Sequence, residues 1–272
     1  MLNQAAESIA MARPPRSLLP RCEDLRGKLA LVTGGSRGIG AATCLALARS
    51  GVRLAINGRD AQALAATLAA VRALGCEAMA VTADCAELAQ VARMREQVES
   101  QMGVPDYVLA FAGGGSARPV AFQDISEQDW RSGIDNNLTS TFFTLKCLLP
   151  GMLARGSGAI LTMASAGARV AAGAPAAYGA AKAGVIMLTR HLAQELGPQG
   201  LRINCISPSA VMTARTRAHL SPEREAQMLA GFPLGRLGVP EDVASAALFL
   251  LSDASAWTTG VVLDIAGGRV MV

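Results

Sequence analysis

The sequence predicts one α/β domain, a doubly wound parallel sheet with helices on both faces, on the strength of three observations. Short runs rich in Val, Ile, Leu and Ala recur along the chain with helical patterns between most of them, the signature of strand–helix–strand crossovers. A glycine-rich turn, Thr33-Gly34-Gly35-Ser36-Arg37-Gly38-Ile39-Gly40, follows the first run and opens an alanine-rich helix. The 272 residues are 51% hydrophobic, 17% charged and only 4% aromatic, a composition that builds a sizeable core and excludes disorder for most of the chain.

Residues 1–24 read as a flexible extension, because Pro14-Pro15 and Pro20 interrupt any long helix, and residues 25–272 as the domain. Strands are expected at Leu29–Thr33, Val52–Asn57, Ala78–Thr82, Tyr107–Ala110, Ala159–Met163, Arg202–Ile206 and Val261–Ile265. Helical periodicity covers Asp60–Leu74, Glu87–Met102, Trp130–Leu153, Tyr178–Leu196 and Glu241–Leu251. Right-handed crossovers between successive parallel strands give the doubly wound topology. The longest irregular stretch, Ser207–Pro240, holds a short helical pattern around Glu223–Ala230 and suits a segment that closes over a ligand.

Twenty-five basic residues stand against 21 acidic ones, a net charge of +4. Half of that excess comes from residues 1–28, where Arg13, Arg16, Arg21, Arg26 and Lys28 face Glu7, Glu23 and Asp24. No concentrated basic stripe appears, which argues against a nucleic-acid partner. No run of about 18 apolar residues is free of polar interruption, which argues against a membrane span. The six cysteines, at 22, 44, 76, 85, 147 and 205, have no paired short spacing. They read as small core residues in a reducing compartment, with no disulfide frame and no metal site. The N-terminus lacks a continuous apolar stretch with a small-residue cleavage site, so a cytoplasmic location is expected.

Chemistry concentrates in three places. The Gly34-x-x-x-Gly38-x-Gly40 turn permits close backbone approach, and the N–H groups of the helix it opens suit a pyrophosphate. Gly40 is followed by Ala41, so this is not a P-loop. The same stretch also satisfies Gly-x-Ser-x-Gly through Ser36, a serine-hydrolase elbow. That reading is a remote alternative, because the turn follows the first strand and neither His191 nor His219 has an evident acid partner. In Tyr178-Gly179-Ala180-Ala181-Lys182 the phenol and the ammonium share one helix face. The chain has only two tyrosines and three lysines, which makes this pairing unlike routine surface patterning. A nearby ammonium is expected to lower the phenol pKa towards neutrality and fit it for proton transfer. Ser165, thirteen residues before Tyr178, falls at the carboxyl end of the Ala159–Met163 strand, the edge where open α/β sheets bind ligands.

With these residues in place, residues 25–272 resemble the short-chain dehydrogenase/reductase family, a Rossmann-type fold, and most closely its bacterial 3-oxoacyl-carrier-protein reductases. The resemblance rests on the Thr33–Gly40 turn, Asn137 in Asp135-Asn136-Asn137-Leu138-Thr139, Ser165, Tyr178 and Lys182. It extends to Arg202-Ile203-Asn204-Cys205-Ile206-Ser207-Pro208, Thr259-Gly260 and Gly267-Gly268. It implies Tyr178 as the acid/base, Lys182 as the group that tunes it and holds the nicotinamide ribose, Ser165 as a hydrogen-bond partner of the substrate oxygen, and Asn137 as support for a water-linked proton path. It implies cofactor contacts from Gly34, Ser36, Arg37, Gly38, Ile39, Gly40, Arg59, Asp84, Ala112, Gly113, Tyr178, Lys182, Pro208, Val211 and Thr213. A homo-oligomer, most often a tetramer, pairs the helices that correspond to Asn137–Arg155 and Tyr178–Gly197.

The second strand ends in Asn57-Gly58-Arg59, without the carboxylate that dinucleotide enzymes place there for NAD ribose hydroxyls. Arg37 and Arg59 suit a 2′-phosphate, so NADP(H) is the expected cofactor. The expected activity is reduction of a ketone, with an anionic substrate open to Arg118, Arg169, Arg215 and Arg217 in mouth loops. Three departures bear on the cofactor pocket: Phe111 replaces an asparagine of the family, Ser209 a glycine and Ala266 an aspartate. Two positions at which the carrier-protein reductases that the chain resembles carry basic side chains for docking fall on Pro150 and Gln199, which weakens a carrier-protein substrate and leaves a free ketone or an acyl-CoA open. The alternative from another class is a catalytically silent NADP-binding sensor or scaffold.

Overall fold

The computed structural model describes residues 22–114, 120–171 and 173–271. Most of the N-terminal extension, Arg118 and Val272 lie outside the described residues. Seven parallel strands form one sheet: β1 (Leu29–Thr33), β2 (Arg53–Gly58), β3 (Ala78–Thr82), β4 (Tyr107–Ala110), β5 (Gly158–Met163), β6 (Leu201–Pro208) and β7 (Val262–Ile265). Their order is β3-β2-β1-β4-β5-β6-β7, so the direction of winding reverses between β1 and β4. β1 and β4 are buried at every position, as strands covered on both faces must be.

Alternation along the strands feeds two helical layers. Ala30 and Val32 of β1 face helices α1 (Gly38–Arg49), α2 (Ala61–Arg72) and α9 (Pro240–Leu251), with Leu47 and Leu248 among their buried partners. Leu31 faces α3 (Leu88–Met102), α5 (Ser140–Arg155) and α6 (Ala176–Leu196), through Val98, Leu145 and Ala193. Leu25, ahead of β1, is fully buried in the first layer. Arg202 of β6 satisfies the end of α9, donating from Nη1 to Leu250 O at 2.8 Å and from Nη2 to Leu251 O at 3.0 Å. A cation at a helix C-terminus answers both the free carbonyls and the dipole.

The structure corrects two elements. The helix expected over Trp130–Leu153 starts earlier, as α4 (Glu127–Ile134), because the Ser126 hydroxyl caps it by accepting Asp129 N–H at 3.0 Å. It then passes through one π turn, Asp135–Thr139, into α5. The stretch Ser207–Pro240 is less irregular than expected. β6 runs on to Pro208, and two helices follow, α7 (Ala214–His219) and α8 (Pro222–Leu229), capped by the hydroxyls of Thr213 and Ser221. All six cysteines are free thiols, three of them buried. Among the described residues no helix is long and apolar enough to cross a membrane, and no group of three or more metal-binding side chains comes together.

Candidate active site

The site is built at the carboxyl edge of the sheet, where the strand order reverses and crossover loops leave a crevice. Thr33 ties the two central strands together there. Its hydroxyl oxygen accepts the N–H groups of Phe111 (3.1 Å) and Ala112 (3.0 Å), and the hydroxyl donates to Leu109 O at 3.3 Å. With its backbone so satisfied, Phe111 turns its ring into the core layer of α1 and α9, which is how the chain accommodates the missing asparagine. Gly34 has φ +66°, and a Cβ on it would stand 2.8 Å from Phe111 O. A Cβ on Gly40 would run into Gly34 O. Arg37, at the N-cap of α1, supplies no side-chain cap, so the first N–H groups of the helix stay available. A cradle that any side chain would fill, facing an uncapped helix N-terminus, fits the pyrophosphate of a dinucleotide. Ser36 belongs to this cradle: a Cβ on Gly58 would lie 2.8 Å from its hydroxyl. His191 instead pairs with Glu195 on an exposed face of α6 at 3.4 Å, and the His219 side chain lies outside the described residues.

Beside the cradle, Arg37 pairs with Asp60 at 2.6 Å, and Asp60 also caps α2 by accepting Ala63 N–H. Arg59 reaches Asp84 at 3.4 Å and the side-chain oxygen of Asn136 at 3.3 Å. Asp84 accepts Ala86 N–H in a tight turn before α3, whose N-cap is Glu87. Ile39 packs against the first core layer. From the end of β6 the chain doubles back. Ser209 N–H donates to Ile265 O, Val211 bridges to Gly238, and Thr213 comes within 3.2 Å of where a Cβ of Gly38 would sit. Of Pro208, Val211 and Thr213, it is Thr213 that comes against the glycine turn.

Four sequence-predicted residues converge on the other side. Lys182 is 2% exposed, and its Nζ donates to Met163 O at 2.7 Å, the last carbonyl of β5. That Nζ lies 5.7 Å from the centre of the Tyr178 ring, one helical turn earlier on α6. Gly113, with φ +142°, closes the third side: a Cβ there would be 2.7 Å from Asn137 Oδ1 and 3.4 Å from Lys182 Nζ. Asn137 sits in the π turn. Its Oδ1 accepts Gly114 N–H at 2.9 Å, and its Nδ2 donates to Gly133 O at 3.0 Å. One additional residue in a helical turn is a device common at functional sites, and here it holds the amide against the β4 loop. Ser165, after β5, is the polar partner of the Tyr178 phenol.

The electrostatics correct one expectation. Burial pushes the Tyr178 phenol above its usual value, and the hydrogen bond from Ser165 opposes this only in part. Burial also pulls the Lys182 ammonium down to about 8. Desolvation is the largest influence on both groups, so the free chain holds a protonated phenol at neutral pH. Arg169, one of four arginines open to an anionic substrate or to an ordinary surface role, is paired with Asp264 of β7 at 3.1 Å. Sequence reasoning missed this pair, the Met163 carbonyl and the π turn; only the glycine at 113 signalled how closely β4 and α6 approach.

Comparison with known proteins agrees with this geometry. A family model described as enoyl-(acyl carrier protein) reductase matches residues 34–269. The chain is 37% identical to a cyclohexanol dehydrogenase of Rhodococcus over 260 residues, covering 90% of this chain and 96% of that enzyme. It is 37% identical over 245 residues to a 3-oxoacyl-[acyl-carrier-protein] reductase of Staphylococcus aureus, covering 90% of this chain and 98% of that one. A solved structure of 7α-hydroxysteroid dehydrogenase, complexed with NADH and 7-oxo glycochenodeoxycholic acid, superimposes with a TM-score of 0.85 at 32% identity. It covers 90% of this chain and 96% of that one.

The buried ammonium has a consequence for stability. Between about pH 8 and the ordinary lysine value of 10.5, the unfolded chain keeps a proton that the folded chain has lost, so wild-type stability gains with rising pH in that window. Lys182→Met removes the buried charge and this dependence with it. The variant is expected to melt about 2–4 °C above wild type at pH 7. Calorimetry from pH 7 to 10 should show that advantage shrinking above pH 8. A difference constant across the range would contradict the burial of the charge.

Proposed function

Because the chain belongs to the short-chain dehydrogenase/reductase family, oxidoreductases acting on CH–OH and C=O groups, we propose that it is an NADPH-dependent reductase of ketones. The single observation behind this reading is the convergence of Ser165, Tyr178, Lys182 and Asn137 at the carboxyl edge beside the glycine cradle. The bound nicotinamide supplies the hydride, and the protein supplies position and protons. Ser165 and the Tyr178 phenol both bond the carbonyl oxygen of the substrate. Tyr178, kept protonated by burial, donates its proton as charge grows on that oxygen. Lys182, its Nζ held by Met163 O, keeps two further donors for the nicotinamide ribose and for a water leading outward. Asn137 holds the β4 loop over that path through Gly114.

NADPH is favoured over NADH by Arg37 and Arg59, whose guanidinium groups lie at the open end of the cradle with no carboxylate at the end of β2. The contacts of Gly34, Ser36, Gly38, Ile39, Gly40, Asp84, Ala112, Gly113, Pro208, Val211 and Thr213 complete this cofactor reading. Asp60 balances Arg37, and a ribose 2′-phosphate competes with it for the guanidinium. The substrate is a free ketone or an acyl thioester, in line with the alcohols and ketones named for the relatives. We also infer a soluble, cytoplasmic homotetramer of residues 25–272. Phe142 of α5 and Met187 of α6 are 45% and 60% exposed on the helices that would pair.

Three measurements test this reading. Tyr178→Phe keeps the ring and removes the proton, so ketone reduction should fall about 10²–10⁴-fold with NADPH binding nearly unchanged. Turnover equal to wild type on a ketone found by screening β-keto esters, acyl-CoA analogues and cyclic ketones would place the proton donor elsewhere. A wild-type chain that binds NADPH but reduces none of them would favour the silent sensor. In fluorescence titration NADPH should bind more tightly than NADH, and Arg59→Asp should narrow or invert the preference. Equal affinities in the wild type would overturn the assignment. Light scattering should return about four times the 28.0 kDa chain mass, and a monomer mass would refute the tetramer.

A further inference from the structure

The turn that carries Ser165 is fastened to the far edge of the sheet by two side chains that the chemistry above does not use. After β5 the chain makes one tight turn, Ala166–Ala168, closed by Ala168 N–H to Ser165 O (2.8 Å) and Arg169 N–H to Ala166 O (2.9 Å). Inside it the Ser165 hydroxyl oxygen accepts Gly167 N–H at 3.2 Å. Any rotation of the turn therefore carries the hydroxyl with it. Arg169, at the end of the turn, reaches Asp264 of β7, with Nη2–Oδ2 at 3.1 Å and Nε–Oδ1 at 3.4 Å. The two side chains are only 17% and 14% exposed. Ala166 packs with Ala266 and Val270, so the apolar side of the turn rests on the same C-terminal stretch. Two parallel bonds between a guanidinium and a carboxylate fix orientation as well as distance, and the low exposure spares them the screening that weakens surface pairs. Asp264 itself is held in register opposite Ser207 of β6.

We propose that the Arg169–Asp264 pair is a latch that positions Ser165 against the Tyr178 phenol and the substrate oxygen. Arg169 and Asp264 are positioning residues, and they act through Ser165. The inference rests on the roles proposed above for Ser165 and Tyr178. Because the guanidinium is engaged by Asp264 and only 17% exposed, it is not available as the anchor for an anionic substrate.

The test is a double-mutant cycle at saturating NADPH, with the ketone that the screen shows to be turned over fastest. Arg169→Met should lower kcat about tenfold, a loss in keeping with a small misplacement of an orienting group, with NADPH affinity unchanged. Asp264→Asn reaches the same point from the other partner, should Arg169→Met fold poorly. Arg169→Lys keeps the charge without the fork and should recover only part of the loss. In the Ser165→Ala background Arg169→Met should cost nothing further. A second readout needs neither substrate nor cofactor. Because Ser165 draws the Tyr178 titration downward, Ser165→Ala and Arg169→Met should each move it upward in tyrosinate absorbance, and the double variant no further. The latch is overturned if Arg169→Met costs the same factor with and without Ser165, or if it leaves kcat and the titration at wild-type values. Unchanged turnover in Tyr178→Phe would instead overturn the proposed function, and the titration cycle would still decide the latch.

Discussion

The arrangement turns on a single ammonium group that is almost completely withdrawn from water. Lys182 is 2% exposed, and its Nζ donates to the carbonyl that ends β5. Burying a cation is costly unless something compensates it, and here compensation is partial, which is why its affinity for a proton falls. The neighbouring elements close around this group. Gly113 lacks a side chain so that the β4 loop can pass within van der Waals reach of Nζ. The π turn adds a residue so that Asn137 can hold that loop in place. The length of α6 delivers Tyr178 one turn before the lysine, where the loop after β5 meets it with Ser165.

Stability and activity pull against each other at this point. A chain selected for stability alone would place an apolar residue at 182 and leave 113 able to carry a Cβ. β1 and β4 are wholly buried, both faces are covered, and Arg202 satisfies the end of α9 with its own cation. The crevice is thus a local exception, set where the winding of the sheet reverses.

Much of this is legible in the sequence because it is local. The strands announce themselves as short apolar runs, the cradle as Gly34, Gly38 and Gly40 after the first of them, and the phenol–ammonium pair as a helical spacing. What escapes is whatever depends on distance along the chain or on depth. Nothing in residues 127–155 marks the place where a helix takes one π turn, since no residue type requires it. The pairing of Arg169 with Asp264 spans 95 residues and becomes visible only when β7 is placed. The sign of the Tyr178 shift is hidden for the same reason: spacing reports that an ammonium is near, but not how far both groups are removed from water. Arg37 and Arg59 were legible as cations near a phosphate site, whereas their partners Asp60 and Asp84 emerge from the packing of α2 and β3.

The central claim is that Tyr178 is stored as a protonated phenol and governed by positive charge in the crevice. With only two tyrosines in the chain, absorbance of tyrosinate measures this directly. Tyr107 is pushed up to about 12 by burial and by neighbouring carboxylates, and Tyr107→Phe leaves the Tyr178 transition alone in the spectrum. In the free protein Tyr178 should ionise above its ordinary value of 10. Saturation with oxidised cofactor, whose nicotinamide carries a positive charge, should move that transition down by at least one unit, or about 1.4 kcal/mol. A Tyr178 transition that ignores the cofactor would contradict the account.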